Sequence, residues 1–309
     1  LVSGLIVLIT LIGLLITIYS INLSKNHIIN FKINSYLSFS IFSLLVLISA
    51  NNLIQFFLGW YLIILSSYLI SDISENKFDN RNIFFENRIS DLCFFLSLYF
   101  IYEFSDSINF DIIFESFHMI ERKVTILNKT FSSFYFVIFI LFASFLLRFR
   151  QFYIVNSRYD LLKFDSSLYS FILFGLYFPV GIYFILRFLT LTHISLDYLN
   201  VILILGSILS LIFLILLIRS YNLNKLFLYI ASAQFSILLI GVGLKLYNAV
   251  VFHFLTSTIS LLILSLSFGI ISYKLNNEQD IRKMGYLIFK CPFIFLFILI
   301  GFISLLGIP

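Results

Sequence analysis

The stretch FLGWYLIILSSYLI, residues 57–70, decides the fold of this chain. It is a helix-length run of membrane-compatible residues, and it contains the only tryptophan of the sequence, Trp60, between Gly59 and Tyr61. Similar apolar runs, each bounded by charged residues, recur along all 309 residues. Because about 20 apolar residues are needed to cross a hydrocarbon core of roughly 30 Å, these runs predict membrane-spanning helices.

The composition excludes a soluble protein. Hydrophobic residues make up 61% of the chain and charged residues 11%, whereas an ordinary soluble domain has about 25% charged residues. The mean hydropathy is +1.06. Such a chain has too little polar surface to cover a water-facing globule of its size. The net charge of +5 is spread over several loops. A nucleic-acid-binding protein would need a clustered basic face, so nucleic acid is not an expected partner.

The apolar runs predict about ten spans in a single membrane domain over residues 1–309. None of them alternates between apolar and polar residues as an outer-membrane strand does, and helices are the other structure that satisfies its own backbone in lipid. The fold class is therefore all-α, a polytopic transmembrane helical bundle. Two polar connections, 71–88 and 105–131, are long, and the spacing shows no internal repeat. The predicted spans are 1–21, 35–50, 53–70, 89–104, 133–147, 168–189, 199–218, 226–244, 249–273 and 292–308.

Ionisable residues inside the spans are the first candidates for function, because charge in a membrane is expensive. His253 lies inside the ninth span, where a neutral imidazole relays protons or is simply capped by a neighbouring helix. Asp91 opens the fourth span three residues after Arg88, which favours a local ion pair. Arg187 ends the sixth span, where its side chain is expected to reach the interface.

Other features narrow the chemistry. Pro179, in the middle of the sixth span, either breaks that helix, as in transporters, or only kinks it. Cys93 and Cys291 match no metal-ligand spacing, and we predict no metal site. Phosphate-binding glycine loops and paired carboxylates within a span are also missing from the sequence. The residues alone leave two hypotheses: a subunit of an ion-translocating machine, or a scaffold bundle without ion traffic.

Several motifs together resemble one family, chain 5 of mitochondrial NADH–ubiquinone oxidoreductase (respiratory complex I). The most specific is NNEQDIRKMG at 276–285; the others include NRISD at 87–91, SANNLIQFFLGWYLIILSSYLI at 49–70, FHFLT at 252–256 and the Gly-Ile-Pro at 307–309. Their order and spacing agree with that family along essentially the whole chain. The signature residues are Gly59, Trp60, Asn87, Arg88, Asp280, Arg282 and Lys283.

The resemblance implies an antiporter-like fold with a broken helix near Pro179, without the first and last helices of the family. It implies a core subunit of the membrane arm, in the mitochondrial inner membrane, whose family role is proton translocation coupled to electron transfer. NADH, FMN, iron–sulfur clusters and ubiquinone are then expected in other subunits, with no cofactor and no redox or catalytic site in this chain. Expected partners are the other membrane-arm and accessory subunits, membrane lipids and, if the gene is split, a chain carrying the rest of the subunit. The alternatives are a stand-alone cation/proton antiporter and the paralogous chain 4 or chain 2.

The sequence departs from the family where the family moves protons. The resemblance puts Tyr61 at the position of an acid, Arg148 at that of a lysine and Leu173 at that of a histidine. On the ninth span the family has a histidine, a second histidine and a lysine at i, i+4 and i+8. Its first histidine is kept, whereas the other two positions are serine and leucine. These positions are His253, Ser257 and Leu261, and the acid of the fourth span is kept as Asp91.

These losses change what the chain can do. The family's buried acid and lysine exchange protons because each can shift its pKa in the field of the other. Tyrosine has an unperturbed pKa near 10, and arginine is effectively never deprotonated, so neither Tyr61 nor Arg148 replaces its family counterpart as a relay. We therefore predict a structural, non-pumping element in this half of the subunit. The alternative is a rerouted path through Asp91, Arg148, Tyr61 and His253 with ordered water.

Overall fold

A computed structural model describes residues 2–23, 27–72, 77–116, 123–126, 129–132, 137, 139–141, 143–144, 183, 187–188, 196–275, 278 and 280–307. Apolar runs form helices here because a helix pairs its own backbone N–H and C=O groups, whereas lipid offers these groups no hydrogen-bond partner. The first five helices are α1 (Val2–Leu23), α2 (His27–Ile48), α3 (Leu53–Asp72), α4 (Lys77–Ser105) and α5 (Phe110–Ser116).

A short antiparallel hairpin follows α5. Its strands are β1 (Lys123–Ile126) and β2 (Lys129–Ser132), in a register that pairs Lys123 with Ser132. The hairpin falls within the connection that the sequence placed between two spans. The second half contains α6 (Leu196–Arg219), α7 (Leu223–Gly243), α8 (Tyr247–Lys274), a 3-10 turn (Ile281–Lys283), α9 (Leu287–Lys290) and α10 (Pro292–Leu305).

The helical fold class is confirmed. Eight of the ten predicted spans coincide with described helices, namely α1 to α4, α6 to α8 and α10. Among the described helices, α1, α2, α6, α7 and α8 are both long and apolar enough to cross a membrane. The spans predicted at 133–147 and 168–189 lie largely outside the described residues, as do Pro179 and the helix break expected there.

Helix α4 starts earlier than the sequence predicted. Its span was expected at 89–104, after a polar connection, but the helix begins at Lys77 and is 29 residues long. Hydropathy marks only the part of a helix that can lie in lipid, and charged residues outside the lipid are compatible with helical backbone. The predicted connection of 71–88 is therefore mostly helical.

The chain groups into two compact units, each with its own packing. Unit 1 comprises Leu1–Thr10, Lys25–Arg158 and Tyr183–Tyr198; unit 2 comprises Leu11–Ser24, Tyr159–Ile182 and Leu199–Pro309. The single domain over 1–309 stays a prediction. The largest buried side chains of unit 1 surround Phe56, whose ring lies 5.8 Å from Phe94 and 5.4 Å from Phe188, centroid to centroid.

The two units share an order of elements that the spacing of the spans did not show. In unit 1, α2, α3 and α4 are followed by a main-chain bridge that pairs Asn52, just before α3, with Asn109. In unit 2, α6, α7 and α8 are followed by a bridge that pairs Asn222, just before α7, with Asp280. Each unit thus contains three successive helices and a bridge that joins the residue before the second helix to a residue after the third.

Each bridge begins at an asparagine that also starts a helix. The Gln55 backbone N–H donates to the Asn52 side-chain oxygen at 2.7 Å, a typical N-cap that satisfies a free donor of the first turn of α3. Next to it, the Leu53 N–H donates to the Ile108 carbonyl at 3.0 Å. On the other side of this bridge the Phe110 N–H donates to the Asn51 carbonyl at 3.1 Å. In unit 2 the bond that corresponds to this second one runs from the Ile281 N–H to the Tyr221 carbonyl at 3.1 Å.

Candidate functional site

The signature Gly-Trp of α3 serves packing in unit 1. A β-carbon added to Gly59 would lie 2.6 Å from the Leu47 Cα, so only glycine lets α3 approach the backbone of α2 this closely. Trp60 is 2% exposed, and its ring stacks on Phe94 of α4 with centroids 4.6 Å apart. The two residues therefore join α3 to its two neighbouring helices.

Tyr61, which the resemblance places at an acid position, contacts a cation with its ring. The guanidinium carbon of Arg88 is 4.9 Å from the centre of the Tyr61 ring, which makes a cation–π contact of about 0.5–2 kcal/mol. Arg88 also pairs with Asp91 one turn further along α4, Nη2 to Oδ2 at 3.0 Å. The predicted local ion pair is confirmed, and its carboxylate is 9% exposed.

This arrangement explains how the fold accommodates a buried Asp91. Removing the cation of a buried ion pair leaves an uncompensated charge, and here Arg88 supplies that cation while its guanidinium lies over the Tyr61 ring. Both charges are contributed by one helix, three residues apart. Arg88, Asp91 and Tyr61 therefore form one local group within unit 1.

Two of the described residues of the predicted sixth span, Tyr183 and Arg187, contact the end of α2. The hydroxyl of Tyr183 donates to the carbonyl of Ile48 at 2.9 Å, and Nη2 of Arg187 donates to the carbonyl of Ala50 at 3.4 Å. The last carbonyls of a helix lack intrahelical donors and carry partial negative charge, so a phenol and a cation both suit them. The guanidinium carbon of Arg187 also lies 4.8 Å from the centre of the Phe110 ring.

His253, the retained histidine, lies in unit 2 on α8. Its Nε2 is 2.8 Å from Oε1 of Gln234 on α7, and the ring is half-buried. From the sequence we expected His253 to be either a proton relay or a histidine capped by a neighbouring helix. Its hydrogen-bond partner in the structure is a side-chain amide. Gln234 was missed in the sequence analysis. Its signal is a lone amide in the apolar run of α7, where an uncharged polar group still needs a partner.

The two residues that follow His253 at intervals of four on α8, Ser257 and Leu261, have buried side chains. Ser257 is 1% exposed and its hydroxyl donates to the carbonyl of Phe254 in its own helix at 3.0 Å. Leu261 is fully buried. This face of α8 therefore carries a hydroxyl that is bonded to its own helix and a buried aliphatic side chain. Neither side chain can accept and release a proton near neutral pH.

The signature residues Asp280, Arg282 and Lys283 form contacts that stabilise the loop after α8. Both nitrogens of the Arg282 fork reach Asp280, with Nη2 to Oδ2 at 2.7 Å, and these hydrogen bonds lower the pKa of Asp280 to about 2. The guanidinium carbon lies 4.4 Å from the centre of the Tyr221 ring, in the turn between α6 and α7. Lys283 Nζ pairs with Glu278 Oε2 at 3.1 Å. The signature therefore reinforces the bridge that closes unit 2.

Other predicted positions carry less structural information. Arg148 and Leu173 lie outside the described residues, and of Asn87 the structure describes the backbone within α4. Cys93 and Cys291 are free thiols. Across the described ranges, no three His, Cys, Asp or Glu side chains form a group that could hold a metal ion. The expectation that cofactors reside in other subunits stays a prediction.

Comparisons with known proteins find relatives that are similar over nearly the whole chain. The curated relatives include chain 5 of NADH-ubiquinone oxidoreductase from Chondrus crispus (26% identical, over 98% of this chain and 46% of that protein) and from Wickerhamomyces canadensis (28%, over 97% and 46%). They also include NADH-quinone oxidoreductase subunit L from Rickettsia typhi, which is 28% identical over 100% of this chain and 47% of that protein. The chain thus spans about half the length of the curated relatives that it matches.

The fold has a counterpart among solved structures. A chain of the membrane-bound sulfane sulfur reductase, an archaeal respiratory membrane complex, matches with a TM-score of 0.70 over 98% of this chain and 50% of that one, at 18% identity. The resemblance to chain 5 that the motifs indicated is confirmed by the relatives. The sequence model described as "NADH:quinone oxidoreductase/Mrp antiporter, TM" matches residues 50–309, so the chain belongs to this family of membrane proteins.

Proposed function

We propose that the chain is the chain 5 component of respiratory complex I, an antiporter-like subunit of its membrane arm in the mitochondrial inner membrane. The observation that carries the assignment is similarity to proteins named chain 5 over 97–98% of this chain. In this function NADH, FMN, iron–sulfur clusters and ubiquinone bind other subunits. The chain contributes to a proton-translocating oxidoreductase as a membrane component, and other membrane-arm subunits are its partners.

The finer proposal is that this half of the subunit is structural and does not pump. Three of its positions support this: the Tyr61 ring contacts the Arg88 guanidinium, the Ser257 hydroxyl is bonded to its own helix, and Leu261 is a buried hydrocarbon side chain. A proton path needs groups that gain and lose protons in turn, at hydrogen-bonding distance or through water. Removing intramembrane charges also removes their desolvation cost, which favours a packed scaffold.

The remaining polar groups are the basis of the competing mechanism, a rerouted path. His253 is the titratable group that such a path would use in unit 2, and Gln234 is its hydrogen-bond partner. Asp91 would serve in unit 1, but it would first have to leave Arg88. The two mechanisms therefore differ in whether proton transfer depends on His253.

The assignment to complex I is tested by isolating native membrane complexes from the source organism in mild detergent. We expect the chain to co-migrate with NADH dehydrogenase activity on a native gel and to be identified by mass spectrometry in that band. Migration as a free protein that exchanges cations for protons in vesicles would overturn the assignment and support a stand-alone antiporter.

The non-pumping proposal is tested by the proton-per-electron ratio of the reconstituted complex. We expect His253→Leu to leave this ratio and the rate of quinone reduction unchanged, and Gln234→Leu, its matched control on the other side of the hydrogen bond, to do the same. A fall in the ratio with His253→Leu at normal assembly would establish the rerouted path. A ratio equal to that of a complex I whose chain 5 keeps the acid and the lysine would also contradict the proposal.

A further inference from the structure

The last residue of α8 and the residue before α10 form a contact that the proposed function does not use. Nζ of Lys274 donates a hydrogen bond to Sγ of Cys291 at 3.5 Å, within unit 2. One partner is a primary amine and the other a thiol, so two nucleophilic side chains from separate helices meet here. Cys291 is 9% exposed and Lys274 is exposed, so a small solute can reach the pair from the surface.

The backbone on both sides of Cys291 holds the sulfur in place. The Cys291 N–H donates to the Leu287 carbonyl at 2.9 Å, and the Cys291 carbonyl accepts from the Phe295 N–H at 3.0 Å. Cys291 thus follows the last residue of α9 and precedes the first residue of α10, Pro292, whose ring fixes its own backbone angle φ. The thiol therefore belongs to a well-anchored part of the chain, and adjustment of the contact depends on the Lys274 side chain.

The packing of α8 against α10 brings the two residues together. Further along the same helices, a β-carbon added to Gly301 would lie 2.7 Å from the side chain of Leu264, so the helices approach closely there. Leu264 precedes Lys274 by ten residues, and Gly301 follows Cys291 by ten. Because ten residues of α-helix rise about 15 Å, both contacts fit one antiparallel pairing of the two helices. The contact between the amine and the thiol is therefore a consequence of helix packing.

A thiol and an amine in contact can be joined by oxidation, with hydrogen peroxide as the oxidant. The O–O bond of the peroxide breaks and an S–O bond forms, which gives the sulfenic acid Cys–SOH and one water. The amine then attacks the sulfur. The S–O bond breaks and an S–N bond forms, with loss of a second water and, from the ammonium form, of a proton. The sulfur loses two electrons and the peroxide accepts them.

Proximity favours this second step over further oxidation. Sulfenic acids condense with a backbone nitrogen to a sulfenamide where the two are adjacent, and Nζ of Lys274 is held next to the sulfur in the same way. A reaction between two groups that are already in contact avoids the entropy cost of bringing them together. The amine of Lys274 therefore competes well with a second peroxide for the sulfenic acid.

We propose that Lys274 and Cys291 are a redox-sensitive crosslinking site, in which hydrogen peroxide joins Nζ to Sγ as a sulfenamide. The new bond closes the loop 275–290, which contains one side of the bridge between Asn222 and Asp280. The link is reversible, because a thiol reductant cleaves the S–N bond and returns the free lysine and cysteine. The proposal rests on contacts within unit 2 and does not depend on whether the chain pumps protons or belongs to complex I.

The test is treatment of the purified full chain, in neutral detergent, with hydrogen peroxide, followed by proteolysis and mass spectrometry. We expect two peptides joined through Lys274 and Cys291, lighter than their sum by two hydrogen atoms, that separate after reduction with dithiothreitol. Dimedone, which labels free sulfenic acid, should label Cys291 severalfold more in Lys274→Gln, because the amine that captures the intermediate is gone. A wild-type chain in which Cys291 is oxidised to sulfinic acid without any link would overturn the proposal.

Matched variants separate this pair from other thiols and amines. Cys93→Ser changes the other cysteine, in α4 of unit 1, and should leave the amount of crosslink unchanged. Lys290→Gln removes the amine next to Cys291 in the sequence and should also leave it unchanged. A link from Cys291 to Lys290 or to Cys93 in place of Lys274 would overturn the proposal. The masses of the wild-type peptides decide between these links, so the test does not depend on the folding of any variant.

Discussion

Replacing Gly59 by alanine tests the role of the signature Gly-Trp directly. The added β-carbon would lie 2.6 Å from the Cα of Leu47 and 2.7 Å from its N and Cβ, whereas ordinary van der Waals contact begins at 3.4 Å. Two of these atoms belong to the backbone of α2, so a change of rotamer cannot relieve the clash. The helices α2 and α3 must separate by close to 1 Å or shift along each other.

The free energy of this change can be worked out from its parts. Overpacking of a well-packed core costs about 1–3 kcal/mol. Moving α3 also loosens the stacking of Trp60 on Phe94, and an aromatic pair contributes about 0.5–1.5 kcal/mol. Alanine recovers about 0.5–1 kcal/mol relative to glycine inside a helix. We therefore expect Gly59→Ala to destabilise the folded chain by about 2 kcal/mol.

The assay is reversible unfolding of the full chain in mixed micelles with increasing dodecyl sulfate, followed by the fluorescence of Trp60. Because Trp60 is the only tryptophan and is 2% exposed, its emission reports on the affected contact itself. The control is Gly4→Ala in α1, where an added β-carbon meets nothing within 4 Å and should change stability by less than about 1 kcal/mol. If Gly59→Ala is no more destabilising than Gly4→Ala, the close approach of α2 and α3 is refuted.

Two further predictions concern the ends of helices and loops. Tyr183→Phe removes the hydroxyl that donates to the Ile48 carbonyl and should destabilise the chain by about 1 kcal/mol in the same assay. The control is Tyr99→Phe, which changes a ring that is 50% exposed and should be close to neutral. Equal effects of the two variants would contradict the role of the Tyr183 hydrogen bond. Arg282 lowers the pKa of Asp280 to about 2, so the pair stabilises the fold above the ordinary aspartate pKa near 4, and this contribution is lost as the pH falls from about 4 to 2. The variant Asp280→Asn should lack that part of the pH dependence of unfolding, and an unchanged profile would show that the pair does not stabilise unit 2.

The features that were predicted best from the sequence are those that a lipid environment requires. Span positions follow from the requirement for apolar length, so α6, α7 and α8 each begin within three residues of their expected start. The start of α4 at Lys77 was not predictable in this way, because hydropathy carries no signal for a helix outside lipid. The hairpin of β1 and β2 was missed for the same reason.

The helices that carry the candidate residues could be predicted from the sequence, but the contacts of these residues could not. The positions of Tyr61 and His253 could be read from motifs in α3 and α8. That Arg88 covers Tyr61, or that Gln234 bonds His253, depends on how separate helices pack, since these pairs are 27 and 19 residues apart. A polar residue alone in an apolar run shows that a partner is needed without showing which one.

The main-chain bridges that close the two units have a consequence for how this gene can evolve. Their donors are the backbone N–H groups of Leu53, Phe110 and Ile281, so any residue except proline can take these places without loss of the hydrogen bond. Substitution of charged side chains away from the bridges therefore leaves these main-chain bonds in place. The three helices of each unit can then stay joined while residues elsewhere in the same helices change.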